Sequence, residues 1–164
     1  MPVTEVTTDL ENRTLTITAE FAAPVERIYG VFADPRQMEQ IWGPPSHPAT
    51  VVDHDLTPGG RVNYLMTGPE GDKFYGCWLV RSVDAPHGFS FDDAFTDSSF
   101  TVDEQLPLSA NDYAFTPVEG DAGRTRATYT STYATVEGLQ QVLDMGVVEG
   151  ASGSINQIDD LLAR

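Results

Sequence analysis

The C-terminal stretch is the strongest constraint on how this chain folds. From Thr135 to Leu162 no proline intervenes. Apolar or small residues fall at Leu139, Val142, Leu143, Gly146, Val147, Gly150, Ala151, Ser154, Ile155, Ile158 and Leu162. Every gap is one, three or four, which is the spacing of one face of an α-helix. The pattern predicts a single helix of roughly 28 residues, ~42 Å long at 1.5 Å per residue. Its stripe is bulky at both ends and hollow in the middle, where Gly146, Gly150, Ala151 and Ser154 contribute almost no side chain. A glycine inside a helix costs about 0.5–1 kcal/mol relative to alanine, so repeated glycines there need a reason. The space is filled either by another backbone in close approach or by a bound molecule.

Ahead of that helix the chain reads as strands and turns. Leu15, Ile17, Ala19 and Phe21 alternate with Thr14, Thr16, Thr18 and Glu20, the period of a half-buried strand. Pro24 suits a helix start, and Val25, Ile28, Tyr29 and Phe32 form a short apolar face. Asp34 is placed to cap a second short helix that begins at Pro35 and ends at Gly43-Pro44-Pro45. Strands are then expected over 50–56, 61–67, 73–83, 89–95, 111–118 and 125–133. Pro58-Gly59-Gly60, residues 68–72 and residues 120–123 form the turns between several of them. Residues 96–110 read as a loop over an opening. Residues 1–13 are polar and read as a flexible N-terminal segment, with 14–164 as one domain.

Hairpin-linked strands make an antiparallel sheet, and helices set apart from them give the α+β class. The expected architecture is a helix-grip fold. A curved antiparallel sheet of about six to seven strands surrounds the long C-terminal helix, and two short helices follow the first strand.

Composition narrows the function classes. The 164 residues carry 25 acidic and nine basic side chains, a formal charge of −16, and Lys73 is the only lysine. Such a surface repels phosphate backbones and anionic lipid, so neither nucleic acid nor membrane is an expected partner. No run is long and apolar enough to span a bilayer, and the first residues lack a secretory pattern, so the cytoplasm is the expected compartment. Cys77 is the only cysteine, which excludes an internal disulfide. In Asp53-His54-Asp55 a strand would point the histidine away from both carboxylates, and no metal or other cofactor is expected. Asp92-Asp93 and Asp159-Asp160 are paired only by adjacency, and neighbours along an element do not face each other.

Several short segments carry a family resemblance. Phe21-Ala22-Ala23-Pro24-Val25-Glu26-Arg27-Ile28-Tyr29 resembles the opening signature of the START-like (Bet v 1-like, SRPBCC) superfamily. Ile41-Trp42-Gly43-Pro44, Asp55-Leu56-Thr57-Pro58-Gly59-Gly60, Gly76-Cys77-Trp78, Gly123-Arg124-Thr125-Arg126-Ala127-Thr128 and Met145-Gly146-Val147-Val148-Glu149-Gly150 resemble its activator of Hsp90 ATPase homologue branch. Members often carry a second tryptophan where this chain has Ile41, and a bulkier residue where it has Ala151. Both departures remove bulk near the expected cavity.

The strand faces and the helix stripe together nominate the cavity lining: Val62, Tyr64, Met66, Phe74, Trp78, Phe91, Phe115 and Tyr129 from the sheet, Gly146, Gly150 and Ala151 from the helix, and Trp42 near the mouth. A buried tyrosine hydroxyl needs a partner, so Tyr64 and Tyr129 bond either a neighbour or a guest. The first expectation is a module that binds a small apolar or aromatic ligand as carrier, sensor or sequestering agent, without a catalytic residue. The resemblance adds two alternatives. One is a partner of an Hsp90-type chaperone, ranked lower because the eukaryotic activators carry a further N-terminal domain. The other is a cyclase- or dehydratase-like enzyme. The strand Thr14–Phe21, read as an exposed edge, leaves a homodimer open.

Overall fold

Alternation along the strands sets the architecture, because each strand exposes one face and must bury the other. The computed structural model describes residues 2–164. Among them the chain runs β1 (Val3–Asp9), β2 (Thr14–Phe21), α1 (Val25–Ala33), α2 (Pro35–Ile41), β3 (Ala49–His54), β4 (Arg61–Thr67), β5 (Lys73–Asp84), β6 (Gly88–Phe95), β7 (Ser109–Val118), β8 (Asp121–Tyr133), α3 (Val136–Asp144) and α4 (Val147–Leu162). The strands form one antiparallel sheet in the order β1-β2-β8-β7-β6-β5-β4-β3. The class is α+β, as the hairpin pattern implies.

Local chemistry explains the helix starts. Asp34 accepts a hydrogen bond from the Arg36 amide at the head of α2, and Thr135 accepts one from the Gly138 amide at the head of α3. The short helices lay Ile28, Val31, Phe32, Met38 and Ile41 on the concave face of the sheet, all fully or almost fully buried. Phe32 stands at the centre of that half. Its ring lies 5.8 Å from Phe115 and 6.5 Å from Trp78, and Trp78 stacks on Phe91 at 4.0 Å.

Three sequence expectations need correction. The predicted 28-residue helix is two helices. Gly146 adopts a left-handed φ of +86° after α3, and its amide bonds back to the Leu143 carbonyl, so the chain turns there before α4 begins. Residues 3–9, read as frayed, form edge strand β1 on β2 and raise the sheet to eight strands. The segment is polar because only Val3 of this edge strand packs on the core and the rest has little to bury. Consequently β2 is not an edge. It lies between β1 and β8, and the free edges are β1 and β3, which removes the strand-pairing argument for a homodimer through Thr14–Phe21.

Two side chains secure α4 across the sheet. Asn156 Oδ1 accepts from the Val3 amide at 3.1 Å, and Gln157 Nε2 donates to the Gly43 carbonyl at 2.7 Å. Residues 96–110 divide. Arg61 Nη2 donates to the Phe100 carbonyl and Phe100 stacks edge-on to Tyr75, while Pro107 borders the interior cavity.

Candidate functional site

Between α4 and the sheet lies a cavity of about 370 Å³. Its helical wall is the small-residue stretch of α4. A Cβ built on Gly150 would meet no atom within 4 Å, so this glycine faces open space instead of a close backbone. Ala151 and Ser154 continue the wall, and Ser154 Oγ turns back to donate to the Gly150 carbonyl at 3.0 Å. Gly153 points elsewhere, toward Pro44 and Pro45. Val142, Met145 and Val147, on either side of the Gly146 turn, also line it, as do Trp42, Met66 and Phe74. Phe74 is 53% exposed and forms part of the rim.

The floor is polar along one diagonal of the sheet. Inward positions of β6 run Phe89, Phe91, Asp93; those of β7 run Phe115, Tyr113, Asn111, Ser109; those of β8 run Tyr129, Ser131, Tyr133. The pairings Asp93–Ser109, Asn111–Ser131 and Ser109–Tyr133 align these groups across three strands. Asn111 is held on both sides: its Nδ2 donates to Ser109 Oγ at 2.9 Å, and its Oδ1 accepts from Ser131 Oγ at 2.6 Å.

Asp93 is the chemical focus. Tyr64 Oη donates to Asp93 Oδ1 at 2.8 Å, and Oδ2 has no hydrogen-bond partner among the described residues. Burial dominates, raising the Asp93 carboxyl from 3.8 to about 7, only partly opposed by the Tyr64 hydrogen bond. Burial likewise holds the Tyr64, Tyr113 and Tyr129 hydroxyls well above the usual phenol range, and Tyr133 is pushed up to about 12. Among the described residues no lysine, arginine or histidine lines the cavity. Tyr129 Oη and Trp42 Nε1 are buried and unpartnered among the described residues. A buried group without a partner costs about 1–3 kcal/mol, so these two sealed polar atoms are a local cost of the packing behind the wall.

Gly76 makes the Tyr64–Asp93 contact possible. Its β5 position lies between Tyr64 on β4 and Phe95 on β6. A Cβ there would come within 2.5 Å of Tyr64 Oη and 2.6 Å of Cζ. Without a side chain at that point, the Tyr64 ring crosses β5 to reach Asp93.

The nominated residues divide into two groups. Trp42, Tyr64, Met66, Phe74, Tyr129, Gly150 and Ala151 line the cavity. Val62, Trp78, Phe91 and Phe115 do not; each is 0% exposed. Trp78 and Phe115 pack against Phe32 of α1, and Phe91 stacks on Trp78. Gly146 is likewise off the wall and serves the turn between helices. Asp93, Ser109, Asn111 and Ser131 were missing from the nominated set. Asp93 lies two residues beyond Phe91 and therefore shares its face, a signal that adjacency to Asp92 obscured. Elsewhere, His54 Nε2 bonds the Phe32 carbonyl and Asp53 accepts from Asn63, so the acidic-histidine triplet is dispersed. Cys77 is buried, and burial raises its thiol above the ordinary range.

The model for activator of Hsp90 ATPase homolog 1-like protein matches residues 22–163, nearly the whole chain. The chain belongs to that family. Among solved structures, this family member is similar to protein Ms6760 from Mycobacterium smegmatis, at 64% identity over 98% of this chain and 97% of that one, TM-score 0.90. A protein from Arthrobacter aurescens is 39% identical over 98% of this chain and 92% of the other, TM-score 0.92. One from Staphylococcus epidermidis is 28% identical over 98% and 94%, TM-score 0.83. No curated protein matches this family member. No helix among the described residues is long and apolar enough to cross a membrane.

Proposed function

We propose that this protein binds a small, largely apolar molecule, preferentially aromatic, in the cavity beneath α4, as a carrier, sensor or sequestering protein of the cytoplasm. The observation that carries the reading is the open space at Gly150. A helix that accepts the cost of glycine and places nothing against it keeps room for something else. The volume of about 370 Å³ falls in the range of roughly 300–1,000 Å³ that suits small-molecule sites. Trp42 on the wall provides an intrinsic reporter. A guest present at a hundred times its Kd stabilises the native state by about 2.7 kcal/mol, which raises Tm by roughly 5–10 °C in a domain of this size. A panel of neutral aromatic compounds that shifts neither Tm nor tryptophan emission would refute the proposal.

A second reading is acid–base chemistry on the guest, and the half-ionised Asp93 carboxyl in an enclosed site favours it. Recovery of a chemically altered guest, lost in Asp93→Asn while the guest still binds, would promote it over simple binding.

A further inference from the structure

We infer that the guest of this cavity carries a hydrogen-bond donor and no negative charge at its buried end, and that this end docks on Asp93. The inference rests on the binding proposal above and narrows the class of ligand. Two features of the wall support it independently. Asp93 offers an oxygen that no described protein donor occupies, and Tyr64 already fills its neighbour. Among the described residues no cationic side chain lines the cavity, so a carboxylate or phosphate head would face an acid with no opposite charge beside it. Free fatty acids and aryl carboxylates are therefore disfavoured wherever Asp93 is ionised, whereas a phenol or a protonated amine on an apolar body is accommodated. Around Asp93 the other titrating groups are Tyr64 of β4, Cys77 of β5, Tyr113 of β7 and Tyr133 of β8, and burial raises each of them, so all four stay neutral through the physiological range.

The test uses four probes with one aromatic body: naphthalene, 2-naphthol, 2-naphthylmethylamine and 2-naphthoate. Binding to the full chain is followed by tryptophan fluorescence. Expected is a preference for the phenol or the ammonium over 2-naphthoate of roughly ten- to a hundred-fold, the weight of one charge-assisted hydrogen bond. The two arms distinguish a neutral donor from a cation. In Asp93→Asn, checked for folding by circular dichroism, the affinity ratio between the ammonium and 2-naphthoate falls at least tenfold. In the unmodified protein, raising the pH from 6 to 8 widens that ratio, because the carboxyl loses its proton while the amine keeps its own. Equal or tighter binding of 2-naphthoate, or a ratio insensitive to both Asp93→Asn and pH, overturns the inference while leaving an apolar guest in place. If naphthalene and all its derivatives fail to bind, the inference falls together with the binding proposal.

Discussion

Replacing Asp93 by asparagine tests the electrostatics of the cavity floor. The native carboxyl titrates near 7 and its ordinary value is 3.8. Between those values the native state holds a proton that the unfolded chain has released. The unfolded state thus binds fewer protons, and stability falls as pH rises through this window. Above about pH 7 both states are ionised and the loss is complete. About three pH units at 1.36 kcal/mol each amount to about 4 kcal/mol, an upper figure because water in the cavity screens the charge. Asparagine retains an oxygen to accept the Tyr64 hydroxyl and has no proton to lose. Urea unfolding of both proteins at pH 5, 6, 7 and 8 isolates the effect, since every other titrating group cancels in the difference. Asp93→Asn should exceed the parent by about 1–1.5 kcal/mol at pH 5 and by roughly 2–4 kcal/mol at pH 8. A difference that stays constant across the four pH values, or that shrinks as pH rises, would show that Asp93 is not a desolvated carboxyl.

Other substitutions examine the surrounding frame. Gly76→Ala places a methyl within 2.5 Å of Tyr64 Oη, so the ring must leave Asp93. Overpacking and one lost hydrogen bond together cost roughly 2–4 kcal/mol, read as a lower urea midpoint, and a loss under about 0.5 kcal/mol would contradict the crossing geometry. Gly150→Leu extends into the void and removes a helix glycine, so it should raise stability by about 1 kcal/mol and abolish guest-induced fluorescence changes. Destabilisation by more than about 1 kcal/mol would mean that the wall is already filled. Thr125→Val removes a fully buried hydroxyl that donates to the Ala23 carbonyl at 2.7 Å and ties β8 to the start of α1. The expected loss is about 1–2 kcal/mol, or roughly 2–8 °C in Tm by calorimetry.

Much of the sheet could be read from alternation alone. Residues 61–67 coincide with β4, and the remaining predicted strands from β3 to β8 differ from their observed ends by a few residues. Both short helices stand where Pro24 and the Asp34 cap place them. Parity also assigned Tyr64, Met66, Phe74 and Tyr129 to the concave face. It failed where an element buries little: β1 shows almost no apolar alternation because the edge of the sheet asks for none. The periodic stripe also hid the break at Gly146, since a glycine on a helical face looks the same whether it lies within a helix or ends one.

Sequence by itself determined which side chains face inward, because alternation and helical spacing are local properties of the backbone. Tertiary structure alone decided which inward residues enclose a void and which are solid core. Phe32 reaches from α1 to close one half of the cup over Trp78 and Phe115, while Gly150 of α4 leaves the other half open above Asp93. A void is the difference between the volume a curved sheet encloses and the volume distant segments bring to it. Spacing along the chain does not record that difference.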